Sequence, residues 1–156
     1  MNVTINQEVR LSEHFKLAEL CKTSVKTKDG NIPSHVHIEN LKRLTGWLEM
    51  LRDEWNKRYG EGNDPIIINS GYRSEAVNKA VGGVATSNHL TGCAVDIRVL
   101  GMEQLLRYAV ILLDISDESG EDYDELLIER NSKGAYWLHF AVRPENNRRK
   151  LRLHQA

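Results

Sequence analysis

Glu125-Leu126-Leu127-Ile128-Glu129, the loop Asn131–Tyr136 and Trp137-Leu138-His139-Phe140-Ala141-Val142 together decide the class of fold. Both flanking runs are short and apolar with polar residues interleaved, which is the pattern of a half-buried strand. Strands joined by so short a loop pair antiparallel, because a parallel crossover needs a dozen residues or more. In the second strand Leu138, Phe140 and Val142 share one face, while Trp137, His139 and Ala141 share the other. One face therefore belongs to a core, and the other presents a histidine.

Working outward, Ala94–Val99 reads as another strand, and Pro65-Ile66-Ile67-Ile68-Asn69 as a β-branched strand bounded by loop residues. Ile38, Leu41, Leu44, Leu48, Leu51 and Trp55 recur every three or four residues after Pro33-Ser34, and Gly60 ends the run. This spacing predicts a long amphipathic helix. Met102–Ile115 reads as a second long helix, Glu75–Ala80 as one or two helical turns, and His14–Cys21 as a short turn of helix. The class is α+β, a small, mostly antiparallel sheet with helices packed on one side.

The 156 residues fit a single domain that can bury one apolar core. A formal net charge of -1 leaves no basic excess for phosphates, so neither a nucleic acid nor an anionic membrane is an expected partner. The longest unbroken apolar run, Tyr108–Leu113, is too short to span a bilayer. Cys21 and Cys93 read as small buried hydrophobes in a reducing compartment. Met1–Glu8 has neither a basic nor an apolar leader segment, so no signal peptide and a cytoplasmic place of synthesis are expected. A monomer is the expected state.

The chemistry concentrates in Ser87-Asn88-His89-Leu90-Thr91-Gly92-Cys93-Ala94-Val95-Asp96. Val95 and Ile97 must point to one side of their strand, and Asp96 and Arg98 to the other. Asp96 and His139 can thus project from the same side of the sheet, with His89 reaching in from the preceding loop. Two imidazoles and one carboxylate, with a fourth position for water, form the layout of a catalytic zinc site. Taken singly, His139 also reads as a hydrogen-bonded core histidine, and Asp96 as the partner of Arg98 or Arg73.

The full strings resemble the zinc D-alanyl-D-alanine carboxypeptidase and endopeptidase family, which shares its fold and metal site with the hedgehog signalling domain. The matching segments begin with Leu11-Ser12-Glu13-His14-Phe15 and Leu17-Ala18-Glu19-Leu20. They continue with Ser70-Gly71-Tyr72-Arg73-Ser74, Asn78 and Gly82-Gly83, then Ser87-x-His89-x-x-Gly92-x-Ala94-x-Asp96 and Trp137-x-His139. Asn147-Arg148-Arg149 is similar to the phage-lysin or prophage branch.

The resemblance implies one Zn²⁺ per chain on His89, Asp96 and His139, and a peptidoglycan stem peptide as substrate. The bond cut would involve D-alanine, at the end of the peptide or within it. It also implies release to the cell wall by a holin-type partner. Two rivals stay open: an L-alanyl-D-glutamate endopeptidase, and a non-catalytic zinc-bearing module that binds the cell wall or a partner.

Arg73 is the expected anchor of a peptide carboxylate, since a guanidinium meets a carboxylate with two charged hydrogen bonds; an ion pair with Asp96 or Glu75 is the alternative. Ser87 is a candidate donor to the substrate backbone or a support of its own loop, and Trp137 a further candidate substrate contact. Tyr72 reads as wall. Glu129 is the candidate general base, facing the metal side with Leu127 on a two-residue alternation, or else a solvated strand-end charge. Asp124 and Glu125 are read as a strand's length away from the metal. Ten positions separate Glu129 from His139, more than in many relatives; Tyr136 stands where some carry glutamate, and Trp137 where others carry histidine. His14, His35 and His37 receive no catalytic role. The acidic run Asp117–Asp124 reads as a solvated loop, and Arg148–His154 as a basic tail that is solvated or touches an anionic polymer.

Overall fold

Ser34 opens the first long helix, α2 (His35–Arg58), after a single turn, α1 (Leu17–Leu20). The Ser34 hydroxyl accepts from the His37 amide, satisfying one of the free N–H groups of the first turn. The apolar stripe of α2 is buried as its spacing predicts: Leu41, Leu44, Leu48 and Leu51 lose all solvent contact. Burying each such side chain favours folding by about 1.5–3 kcal/mol. The computed structural model describes residues 4–156; Met1–Val3, part of the stretch read for a leader, lie outside the described residues.

Next come β1 (Ile68–Ser70), α3 (Glu75–Ala80), a 3₁₀ turn at Asn88–Thr91, β2 (Ala94–Ile97) and α4 (Met102–Ser119). The chain ends with β3 (Glu125–Arg130), β4 (Tyr136–Ala141) and β5 (Lys150–Gln155). The five strands lie in the order β1-β2-β4-β3-β5. All neighbours are antiparallel except β3 and β5, which run parallel. This is the α+β architecture expected. Val95, Ile97, Leu126, Leu138 and Phe140 form the buried face of the sheet, in one apolar cluster with the stripes of α2 and α4. Among the described residues no helix is long and apolar enough to cross a membrane.

Three local expectations are corrected. The strand read over Pro65–Asn69 is shorter and shifted, starting at Ile68. The second long helix runs on to Ser119 and ends at Gly120, whose φ of 75° provides the left-handed cap. It therefore absorbs part of the acidic run read as a loop. The basic tail is a strand: Lys150–Gln155 pairs in register with Glu125–Arg130, so that Lys150, Arg152 and His154 lie beside Glu125, Leu127 and Glu129. A charged edge strand is a common end to a sheet, because exposed cations discourage pairing with another chain.

Asp124 is another correction. It has no solvent exposure and accepts two hydrogen bonds from the Arg148 guanidinium, at 2.9 and 2.7 Å. Arg143 approaches it at 3.2 Å, and the Asn88 amide donates to it at 2.8 Å. The start of β5 is thus fastened to the start of β3 through a buried carboxylate.

Candidate metal centre

The register of the sheet builds the site. Asp96 on β2 lies directly opposite His139 on β4, and His139 in turn lies opposite Leu127 on β3. Asp96 and His139 therefore point from the same face, away from the helices. His89 enters from the 3₁₀ turn, whose Ser87 hydroxyl accepts the His89 amide at 3.2 Å. Gly92 closes that turn with φ 75°, and a side chain there would lie 2.7 Å from the His37 carbonyl. Glycine suits the position on both counts.

His89, Asp96 and His139 are all buried, and one ligating atom from each lies within 4.8 Å of the others. His89 Nε2 is 3.3 Å from Asp96 Oδ1, and His139 Nδ1 is 3.1 Å from the same oxygen. His89 Nδ1 donates to the Gly71 carbonyl at 2.7 Å, which leaves Nε2 with its lone pair toward Asp96. A carbonyl that holds the far nitrogen of a ligating imidazole is a recurrent support of metal sites. Gly71 itself is packed so closely that a Cβ would lie 2.2 Å from the Leu20 carbonyl oxygen. The missing side chain at Gly71 thus gives the turn room against α1. The donor set, two imidazoles and one carboxylate, fits Zn²⁺.

Two glutamates of β3 face this group. Glu125 Oε1 accepts from His139 Nε2 at 3.0 Å and from the Asn88 amide at 2.6 Å. Glu129 Oε1 lies 3.6 Å from His139 Nδ1 and 4.0 Å from His154 Nδ1. Among the described residues, no hydrogen bond to the Glu129 carboxylate is formed. The reading of Glu125 as distant is corrected: alternation carries it to the same face as Glu129, and its side chain reaches the far side of the His139 ring.

These contacts separate the acidities. Burial pushes Asp96 up, but the charges and hydrogen bonds of His89 and His139 outweigh it and hold the carboxyl well below the usual range. For Glu125, burial is outweighed by the hydrogen bond and charge of His139, which bring it down to about 2. Glu129 is raised by burial and by the nearby Asp96, against the attraction of His139. His139 is pushed down by burial and up, more strongly, by Asp96 and Glu125, to about 10.

The expected substrate contacts are distributed as follows. Arg73, Ser87 and Trp137 line the same cleft of about 820 Å³ as the metal group. The Arg73 fork is occupied: Nε donates to Ser70 Oγ at 3.2 Å, Nη1 to Asn78 Oδ1 at 3.1 Å and Nη2 to Asp96 Oδ2 at 3.4 Å. Trp137 Nε1 is buried and, among the described residues, has no hydrogen-bond partner. Tyr72 is core rather than wall, 6% exposed with its ring against His37. His14 pairs with Glu49 of α2 at 2.7 Å, which accounts for it outside the cleft.

Residues 13–112 match the peptidase M15 family. That span contains Arg73, Ser87, His89 and Asp96, and stops before Glu129, Trp137 and His139. No curated protein matches the chain. With nearly two thirds of its length matched, and a buried His-Asp-His group beneath the cleft, the chain belongs to the M15 family of peptidases.

Proposed function

We propose that this chain is a zinc-dependent peptidase that hydrolyses the stem peptides of peptidoglycan. The observation that carries the reading is the convergence of His89, Asp96 and His139 beside a carboxylate, Glu129, that carries no hydrogen bond among the described residues. His89 Nε2, Asp96 Oδ1 and His139 Nδ1 would hold the zinc, which when bound supplies a Lewis acid and lowers the pKa of water. Glu129 takes the proton of the attacking water and later returns it to the leaving amine. Its raised pKa suits both halves of that task, since the best acid–base groups titrate near working pH.

The cleft also suits an extended, acidic peptide. Lys150 and Arg152 lie on its β5 side, and among the described residues neither is paired with a carboxylate within 4.0 Å. Stem peptides carry free carboxylates that such cations attract. The Ser87 hydroxyl, which accepts from the His89 amide, keeps its own proton as a donor for the peptide backbone. The occupied fork of Arg73 favours cleavage within the stem peptide over removal of a terminal D-alanine, because a terminal carboxylate needs an uncommitted guanidinium.

Incubation of zinc-loaded protein with defined muropeptides, followed by mass spectrometry, tests the reading. Two peptide fragments are expected, and their masses identify the bond. Intact muropeptides alongside full zinc occupancy would instead favour a binding module without turnover.

A further inference from the structure

We propose that Glu125 is a positioning residue that fixes which nitrogen of His139 meets the metal. The inference rests on the metal-peptidase reading above. An imidazole can ligate through either nitrogen, and its other nitrogen's hydrogen bond decides which. Here the two nitrogens of His139 face different partners. Nε2 donates to Glu125 Oε1 at 3.0 Å, while Nδ1 faces Asp96 Oδ1 at 3.1 Å, on the side where His89 Nε2 also points. A carboxylate on Nε2 keeps the proton there and leaves Nδ1 as the ligand.

Glu125 suits this task because it is itself held. The Asn88 amide donates to Glu125 Oε1 at 2.6 Å and to the buried Asp124 at 2.8 Å, and the Asn88 carbonyl oxygen accepts from Arg143 Nε at 3.0 Å. Arg148, bonded twice to Asp124, stands 3.9 Å from the other Glu125 oxygen. A chain of contacts thus runs from the anchor of β5 through Asn88 and Glu125 to the His139 ring. Glu129, on the same face of the same strand, has no such anchorage. Two carboxylates two alternations apart, on either side of Leu127, are thereby divided: one holds a ligand still, and the other is free to carry a proton. The position of Glu125 on the Nε2 side of the ring also removes it from the ligand set.

The test uses the purified full chain and zinc alone. In the zinc-loaded protein, long-range ¹H–¹⁵N correlation spectra should show His139 carrying its proton on Nε2 and coordinated through Nδ1. Competition with a chromophoric chelator should show Glu125→Leu binding zinc about 10–100-fold more weakly. Glu125→Gln keeps an acceptor oxygen and should recover most of that loss. Glu129→Gln should bind zinc as the unmodified chain does. Coordination of His139 through Nε2, or wild-type zinc affinity in a folded Glu125→Leu variant, overturns the proposal while leaving the peptidase reading intact. Should Glu125→Leu fail to fold, the protonated and coordinating nitrogens of His139 in the unmodified protein still decide. Failure of the unmodified chain to bind zinc would overturn both.

Discussion

At the scale of single residues, the candidate site is a set of charges sorted by hydrogen bonding. Glu129 and Glu125 are the same amino acid on the same strand face, yet burial raises one and hydrogen bonds lower the other. Glu129→Gln keeps the shape and loses the proposed base, so turnover should fall by about 10²–10⁴-fold. Zinc content should stay unchanged, as elemental analysis would show; turnover near wild type would assign the proton to another group. Arg73 makes a sharper contrast with its sequence pattern. Its guanidinium braces Asp96 Oδ2 at 3.4 Å, so Arg73→Ala should loosen a proposed metal ligand as well as the cleft wall. The loss of a charged hydrogen bond, about 1.5–3 kcal/mol, corresponds to roughly 10–100-fold weaker zinc binding. Chelator competition checks it. An unchanged zinc affinity with a raised KM would return Arg73 to the role of substrate anchor alone.

At the scale of elements, α2, α4 and the β3–β4 hairpin were legible because each carries a repeating apolar pattern long enough to set its period. The same two-residue alternation set Asp96 and His139 on one face of the sheet, which is why their convergence was legible in the sequence. What escaped was the contribution of charged segments. In β5 the alternation of Leu151 and Leu153 with Lys150, Arg152 and His154 is a strand pattern, but both leucines remain exposed and the charges read as solvation. Asp124 ends a run of acids, and nothing in that run distinguishes the one that meets Arg148. The burial of Asp124 leads to a prediction for the β3–β5 junction. Burial pushes this carboxyl up, but hydrogen bonds from Arg148 and Asn88 and the charge of Arg143 hold it at about 2. Because its folded value is depressed, the stabilisation is fully present above the ordinary carboxylate range and is lost as pH falls toward 2. Arg148→Ala should lower unfolding stability by about 1.5–3 kcal/mol at neutral pH. It should also shrink the acid-dependent loss, because the folded value of Asp124 then lies closer to its unfolded one, as urea unfolding across a pH series would reveal. Equal acid sensitivity in both proteins would place the junction's stability elsewhere.

At the scale of the whole molecule, folding, metal binding and pH are linked through His139. The ring sits between Asp96 and Glu125, and in the metal-free protein these carboxylates hold its second proton up to about pH 10. The folded value lies above the ordinary histidine value, so this stabilisation is fully present below about 6.5 and declines as pH rises toward 10. On the proposed coordination through Nδ1, zinc would displace that proton, whereas the proton on Nε2 would stay with Glu125. Zinc affinity should therefore rise about tenfold per pH unit through the neutral range from this group alone, with one proton released per ion bound. Ligand binding to the folded state alone stabilises by RT ln(1 + [L]/Kd), about 4 kcal/mol when zinc is at a thousand times Kd. The two effects act in the same direction, since the stripped protein loses the contribution of the His139 proton at alkaline pH while the loaded protein gains affinity. The melting-temperature gap between loaded and stripped protein should widen from pH 6 to pH 8. Titration calorimetry in buffers of different ionisation enthalpy counts the proton directly. Zinc binding without proton release, or a gap that narrows with rising pH, would show that His139 enters the metal site already neutral.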